Sequence, residues 1–91
     1  MTVKFFADVR RLAGCEAERF MGEAPTVGAL LHALADRHGA AFHERVFDAA
    51  GRPSDTLIVL VNGRNVEHLA GADTALAPDD VVSVFPMVAG G

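Results

Sequence analysis

Apolar and polar positions alternate from the start of the chain. Val3, Phe5, Ala7 and Val9 fall on one side of a period of two, and Lys4, Phe6 and Asp8 fall on the other. This pattern predicts a strand over residues 3–9, with Phe6 on its outer face among charged neighbours. A turn at Gly14 leads into a weakly alternating segment, Glu16 to Met21, that reads as an antiparallel edge strand. After Pro25 the period changes. Val27, Leu30, Leu31 and Leu34 stand at i, i+3, i+4 and i+7, the apolar stripe of a helix. Thr26 is placed to cap its N-terminus and Gly39 to close it after Asp36, Arg37 and His38. A second short helical or irregular stretch is expected from Phe42 to Phe47, followed by a surface loop at 49–53.

Leu57-Ile58-Val59-Leu60-Val61 is a β-branched, apolar run that suits a central strand. Asn62-Gly63 is a strong hairpin signal, with Arg64-Asn65-Val66 as the short return strand. Leu69 and Leu76 are expected to cover the bottom of the core. Pro78-Asp79-Asp80 turns the chain into a last strand in which Val82 and Val84 face inward and Val81, Ser83 and Phe85 face outward. The order strand, strand, helix, strand, short strand, strand specifies an α+β fold: a mixed sheet of four to five strands with one main helix on one face. Residues 1–85 form the expected domain. Residues 86–91 are expected to form a flexible tail: Pro86, Met87, Val88, Ala89 and the pair Gly90-Gly91. A backbone without β-carbons can enter an active-site channel too narrow for other residues.

Composition narrows the functional classes. Ninety-one residues, 51% of them hydrophobic, suffice for one modest core. No apolar run has the length of a membrane span, and a strand-like segment at the start predicts no leader peptide. A net charge of −4 without a basic stripe argues against nucleic acid as a partner. Cys15 is alone, so it forms no internal disulfide and is read as a small hydrophobe; a cytoplasmic location is expected. His32, His38, His43 and His68 are scattered, with no cysteine at zinc-ligand spacing, so no metal site is expected. No nucleophile–base pair or phosphate-cradling loop is apparent. Glu16, Glu18 and Glu23 read as a solvated edge.

Three blocks carry a family resemblance: Val3-Lys4-Phe5-Phe6-Ala7 followed by Val9-Arg10; Leu60-Val61-Asn62-Gly63 with Val66; and Asp80-Val81-Val82-Ser83-Val84-Phe85-Pro86 leading to Gly90-Gly91. Through them the whole chain resembles the sulfur-carrier branch of the ubiquitin-like β-grasp proteins. That branch includes the small subunit of molybdopterin synthase and the archaeal small modifier proteins. In the β-grasp arrangement the first and last strands are central and parallel, which would set Phe6 and Phe85 side by side on the face opposite the helix. Two departures stand out. Met87 replaces the second proline usual in the family tail, and Asp79-Asp80 replaces the frequent Gly-Asp turn.

The resemblance implies a carrier that is not an enzyme on its own and binds no cofactor stably. An E1-like adenylyltransferase would activate the Gly91 carboxylate with ATP and magnesium. A sulfur donor, a rhodanese or a cysteine desulfurase, would then displace AMP and leave a thiocarboxylate. The large subunit of molybdopterin synthase would receive the tail and pass the sulfur to a cyclic pterin precursor. Gly90 and Gly91 would thread both active sites, which must exclude water to protect the acyl-adenylate. Phe6, Phe85, Pro86, Met87 and Val88 are the candidate partner-binding residues, since aromatic anchors dominate interfaces. For Phe6 the alternative is burial beside Phe5 in a twisted or bulged strand. The rival function is a protein modifier joined through Gly91 to substrate lysines; chains of the protein itself could grow only through Lys4 or the N-terminus. Sulfur carriage to thiamine or tRNA is a third reading, although Phe42 to Pro53 is an insertion relative to the shorter thiamine-type carriers.

Overall fold

In a computed structural model, which describes residues 1–87, the first strand is shorter than its alternation predicts. β1 spans Thr2–Phe5, and Ala7–Ala13 forms a helix, α1. The backbone leaves the strand at Ala7, whose φ of 54° lies in the left-handed region. Helical spacing explains the difference. Val9 is buried and Leu12 and Ala13 pack against the core, at i, i+3 and i+4. Gly14 closes α1 in the left-handed conformation, its N–H donating to the Arg10 carbonyl. Asp8 in the first turn and Arg10 and Arg11 in the last suit the helix dipole.

β2, Ala17–Arg19, returns antiparallel to β1. Its Glu18 lies opposite Val3, on the inward face, and is not solvated as expected. The Glu18 side chain is only 9% exposed, bonded to His38 Nε2 and 3.3 Å from Arg37 Nη1. Both partners lie at the end of α2, Val27–His38. Thr26 caps α2 by accepting from the Ala29 N–H at 3.2 Å, and Val27, Leu30, Leu31, Leu34 and Ala35 fill its buried stripe. Gly39 (φ 97°) ends α2 and at once begins α3, Ala40–Val46, which buries Phe42 and Val46.

β3, Leu57–Val61, and β4, Arg64–Asn65, form the expected hairpin, with Asn62 and Gly63 both at positive φ. Val66 does not extend β4; it begins a 3-10 turn and is buried there. Leu76 packs against the core, but Leu69 is 37% exposed and covers little of it. β5, Val81–Pro86, lies between β1, to which it is parallel, and β3, to which it is antiparallel. The sheet order is β2-β1-β5-β3-β4. The core lies between the inward residues of the sheet (Val3, Phe5, Val59, Val82, Val84) and the helices.

Candidate functional site

The outer sheet face converges on the place where β5 ends. Val82 and Val84 are fully buried, so their neighbours Ser83 and Phe85 point the other way. By the same alternation Ile58 and Leu60 are the outward members of β3. Phe6 sits just beyond β1, as the residue preceding α1, and not within a strand. It is nonetheless outward and 44% exposed, while Phe5 is buried at 1%, so burial of both is excluded. The Phe6 and Phe85 rings meet edge to face, with centroids 5.8 Å apart. The backbone fixes this contact: the Phe6 N–H donates to the Val84 carbonyl at 3.1 Å. The turn at Ala7 then lets the Phe6 side chain remain on the outer face while α1 passes to the core.

Phe6, Ala7, Leu60, Ser83, Phe85 and Pro86 line an open depression of 410 Å³ on this face. None of these six side chains is acidic or basic, so the depression is suited to contact and not to proton transfer. Lys4, the single lysine of the chain, is exposed beside it and is in register with Ser83 on β5 and Ala17 on β2. Pro86 still pairs with Leu57, and the Met87 N–H donates to the Thr56 carbonyl at 2.8 Å, the last backbone bond of the ladder among the described residues. Met87 is 49% exposed. The structure therefore brings together Phe6, Phe85, Pro86 and Met87. Val88, Gly90 and Gly91 lie outside the described residues.

At the other end of β5 the turn is fixed by a carboxylate. Asp80 accepts from the Ala77 N–H through Oδ2 and from the Asn62 side chain through Oδ1, both at 2.8 Å. These bonds, the backbone one foremost, hold its pKa below the usual carboxylate value. Asn62 in turn accepts from the Val81 N–H at 2.9 Å, which locks the β3–β4 turn to the start of β5. Substitution of the common Gly-Asp turn by Asp79-Asp80 leaves this network intact.

A model of the ThiS family matches residues 3–91 of the sequence. The chain belongs to that family of ubiquitin-like sulfur carriers. Small archaeal modifier protein 3 of Haloferax volcanii is 37% identical to it, over 100% of this chain and 98% of that protein. The solution structure of small archaeal modifier protein 1 from Methanosarcina acetivorans has a TM-score of 0.85 and 30% identity, over 99% of this chain and 94% of that one. A Pyrococcus furiosus chain provisionally named molybdopterin converting factor, subunit 1, has a TM-score of 0.72 and 36% identity, over 96% and 95%. The β-grasp architecture expected from the sequence thus holds. Ala7, Leu60 and Ser83 join the outer groove although none is among the partner-binding candidates of the sequence, and Ala7 is expected there on the inward face. The outward reading of β5 carried the signal for Ser83, while the uniformly apolar run of β3 carried none for Leu60. Nothing local in the sequence marked Ala7 as a left-handed turn.

Proposed function

We propose that this chain carries sulfur as a thiocarboxylate on Gly91 for molybdopterin synthesis. An E1-like adenylyltransferase transfers AMP from ATP, with magnesium, to the Gly91 carboxylate, and pyrophosphate leaves. Sulfur from a rhodanese or a cysteine desulfurase then attacks the carbonyl carbon and the bond to AMP breaks; where the sulfur arrives as a persulfide, a thiol reduces the acyl disulfide. The large synthase subunit accepts the charged tail and moves its sulfur onto a cyclic pterin precursor. The reaction's acid–base groups belong to the partners, and this chain supplies a docking face and the reactive end.

One observation supports this reading above the others: the Phe6–Phe85 pair and its apolar depression lie beside Pro86 and Met87, at the root of the tail. A partner seated on that face has the tail delivered next to its contact surface. The 36% identity to the Pyrococcus chain supports the pterin destination.

A second reading rests on the likeness to small archaeal modifier protein 3: activated Gly91 is attacked by a substrate lysine and an isopeptide bond forms. Intact mass of protein isolated from its own cells without reductant separates the two. Sulfur in place of one carboxylate oxygen supports the carrier; a Gly-Gly remnant on lysines of other proteins supports the modifier. A Gly91 carboxylate found unmodified, with no such remnant, refutes both. Conjugates of the protein with itself would vanish in Lys4→Arg unless they formed through the N-terminus.

A further inference from the structure

The root of the tail is held from the helical side by a chain of polar contacts that the docking face does not use. Arg45, on α3, donates from Nε to Asp8 Oδ2 at 2.7 Å and from Nη1 to Thr56 Oγ1 at 3.0 Å. Asp8 is in the first turn of α1, immediately after the left-handed Ala7. Thr56 Oγ1 also meets Ser54 Oγ at 2.8 Å, and the Ser54 hydroxyl accepts from the Thr56 N–H. The Thr56 carbonyl accepts the Met87 N–H, and the preceding residue, Pro86, has no N–H to give. One guanidinium on α3 therefore ties α1 and the segment before β3 to the Met87–Thr56 bond. A planar fork of donors can hold two acceptors at fixed angles, which an ammonium group does less well. Asp8 Oδ1 is buried without a hydrogen-bond partner among the described residues, so the Asp8 carboxylate relies on Arg45.

The geometry points to Arg45 as a positioning residue: through Thr56 it fixes the Met87 end of the ladder, the base from which the activating enzyme would take up Gly91. This rests on the proposal that Gly91 is adenylated. Docking and aim are then carried by different residues. Phe6 and Phe85 govern how tightly the carrier binds, and Arg45 governs how often a bound carrier presents its end productively.

Hydrogen exchange at the Met87 amide and steady-state adenylation by the E1-like enzyme of the same organism test this in wild type, Arg45→Lys and Thr56→Val. Thr56→Val removes only the hydroxyl and leaves the Asp8–Arg45 pair, so it remains informative if Arg45→Lys folds poorly. In both variants Met87 exchange should quicken by about fivefold, the effect of one net hydrogen bond. Turnover at saturating carrier should fall by about tenfold to a hundredfold, as for a misaligned reactant, with KM unchanged. A merely structural role would give the opposite split, because a smaller folded fraction of the carrier raises its apparent KM and leaves kcat intact. Unchanged Met87 exchange, or unchanged kcat, overturns the assignment. If wild type itself is not adenylated, the parent reading fails and this one with it; hydrogen exchange, which needs no partner, still reports separately whether Arg45 holds Met87.

Discussion

Replacing Ala7 with glycine should stabilise the protein. At φ 54° the β-carbon of Ala7 crowds its own backbone, and an L-residue in this region costs about 1–2 kcal/mol. Glycine removes that cost but gives up about 0.5–1 kcal/mol through the greater freedom of the unfolded chain. Because Ala7 is exposed and its side chain is a single methyl, little packing is lost. The difference runs from about zero to a gain of about 1.5 kcal/mol, centred on about 0.75 kcal/mol. For a domain of this size the central value raises Tm by about 3–6 °C. The chain has neither Trp nor Tyr, so urea and thermal unfolding are best followed by far-UV circular dichroism. The denaturant midpoint should rise with no change in slope, since the surface exposed on unfolding is the same. Ala7→Val, with its stiff branched side chain at the same φ, should lower the midpoint. A fall in stability for Ala7→Gly, or a rise for Ala7→Val, would refute a left-handed turn at this position. The measurement also bears on the site, because this turn separates the outward Phe6 from the Asp8 that binds Arg45.

Thr26→Ala removes the N-cap of α2 and should cost about 1 kcal/mol, read as a lower denaturant midpoint. Phe85→Ala should raise the KM of the activating enzyme for the carrier by about 30-fold, the effect of losing one interface hot spot. The same substitution should cost the free protein about 0.5–1.5 kcal/mol through loss of the edge-to-face pair; an unaltered KM in folded Phe85→Ala would place docking elsewhere. Asp80 has a lowered pKa in the folded state, so its contribution to stability is complete above the unfolded value of about 3.9. That contribution is lost as the pH falls from there through the folded value. Asp80→Asn should therefore flatten the decline of Tm in this acid range, and an identical decline in both proteins would show that the carboxylate is not linked to folding.

The parts legible in the sequence were those whose periodicity ran long enough to exclude the alternative. Four leucine and valine positions over two turns made α2 unambiguous, and Thr26 and Gly39 gave its ends. The outward Ser83 and Phe85 of β5 were legible too, whereas the uniformly apolar run of β3 gave no sign of which residues face out. The beginning of the chain was harder because Val3, Phe5, Ala7 and Val9 satisfy a period of two, while Val9, Leu12 and Ala13 satisfy a helix, and Val9 belongs to both. Tertiary packing decided between them: α1 buries Val9 against the core, and the chain accepts a strained Ala7 to do so. Glu18 was misplaced for a related reason. Its charge suggested solvent, but its register opposite Val3 put it inward, where the end of α2 supplies His38 and Arg37. The Arg45 contacts join residues separated by 37 and 11 positions, and no local pattern could have shown them.

The placement of the site follows from the topology. A parallel β1–β5 pair in the middle of the sheet makes β5 end near where β1 ends, so the residues just after β1 and those at the end of β5 must be neighbours. The first supplies Phe6 and Asp8; the second supplies Phe85, Pro86 and Met87. A partner that gripped the outer face through the two aromatic rings, as proposed, would hold the Met87 end of β5 from one side, while Arg45 and Thr56 hold it from the other. Nothing in this arrangement depends on the chemistry of the acceptor. Under either proposed reading, sulfur transfer or isopeptide formation, the docking face is therefore the same, and the two differ only in the nucleophile that meets the activated Gly91.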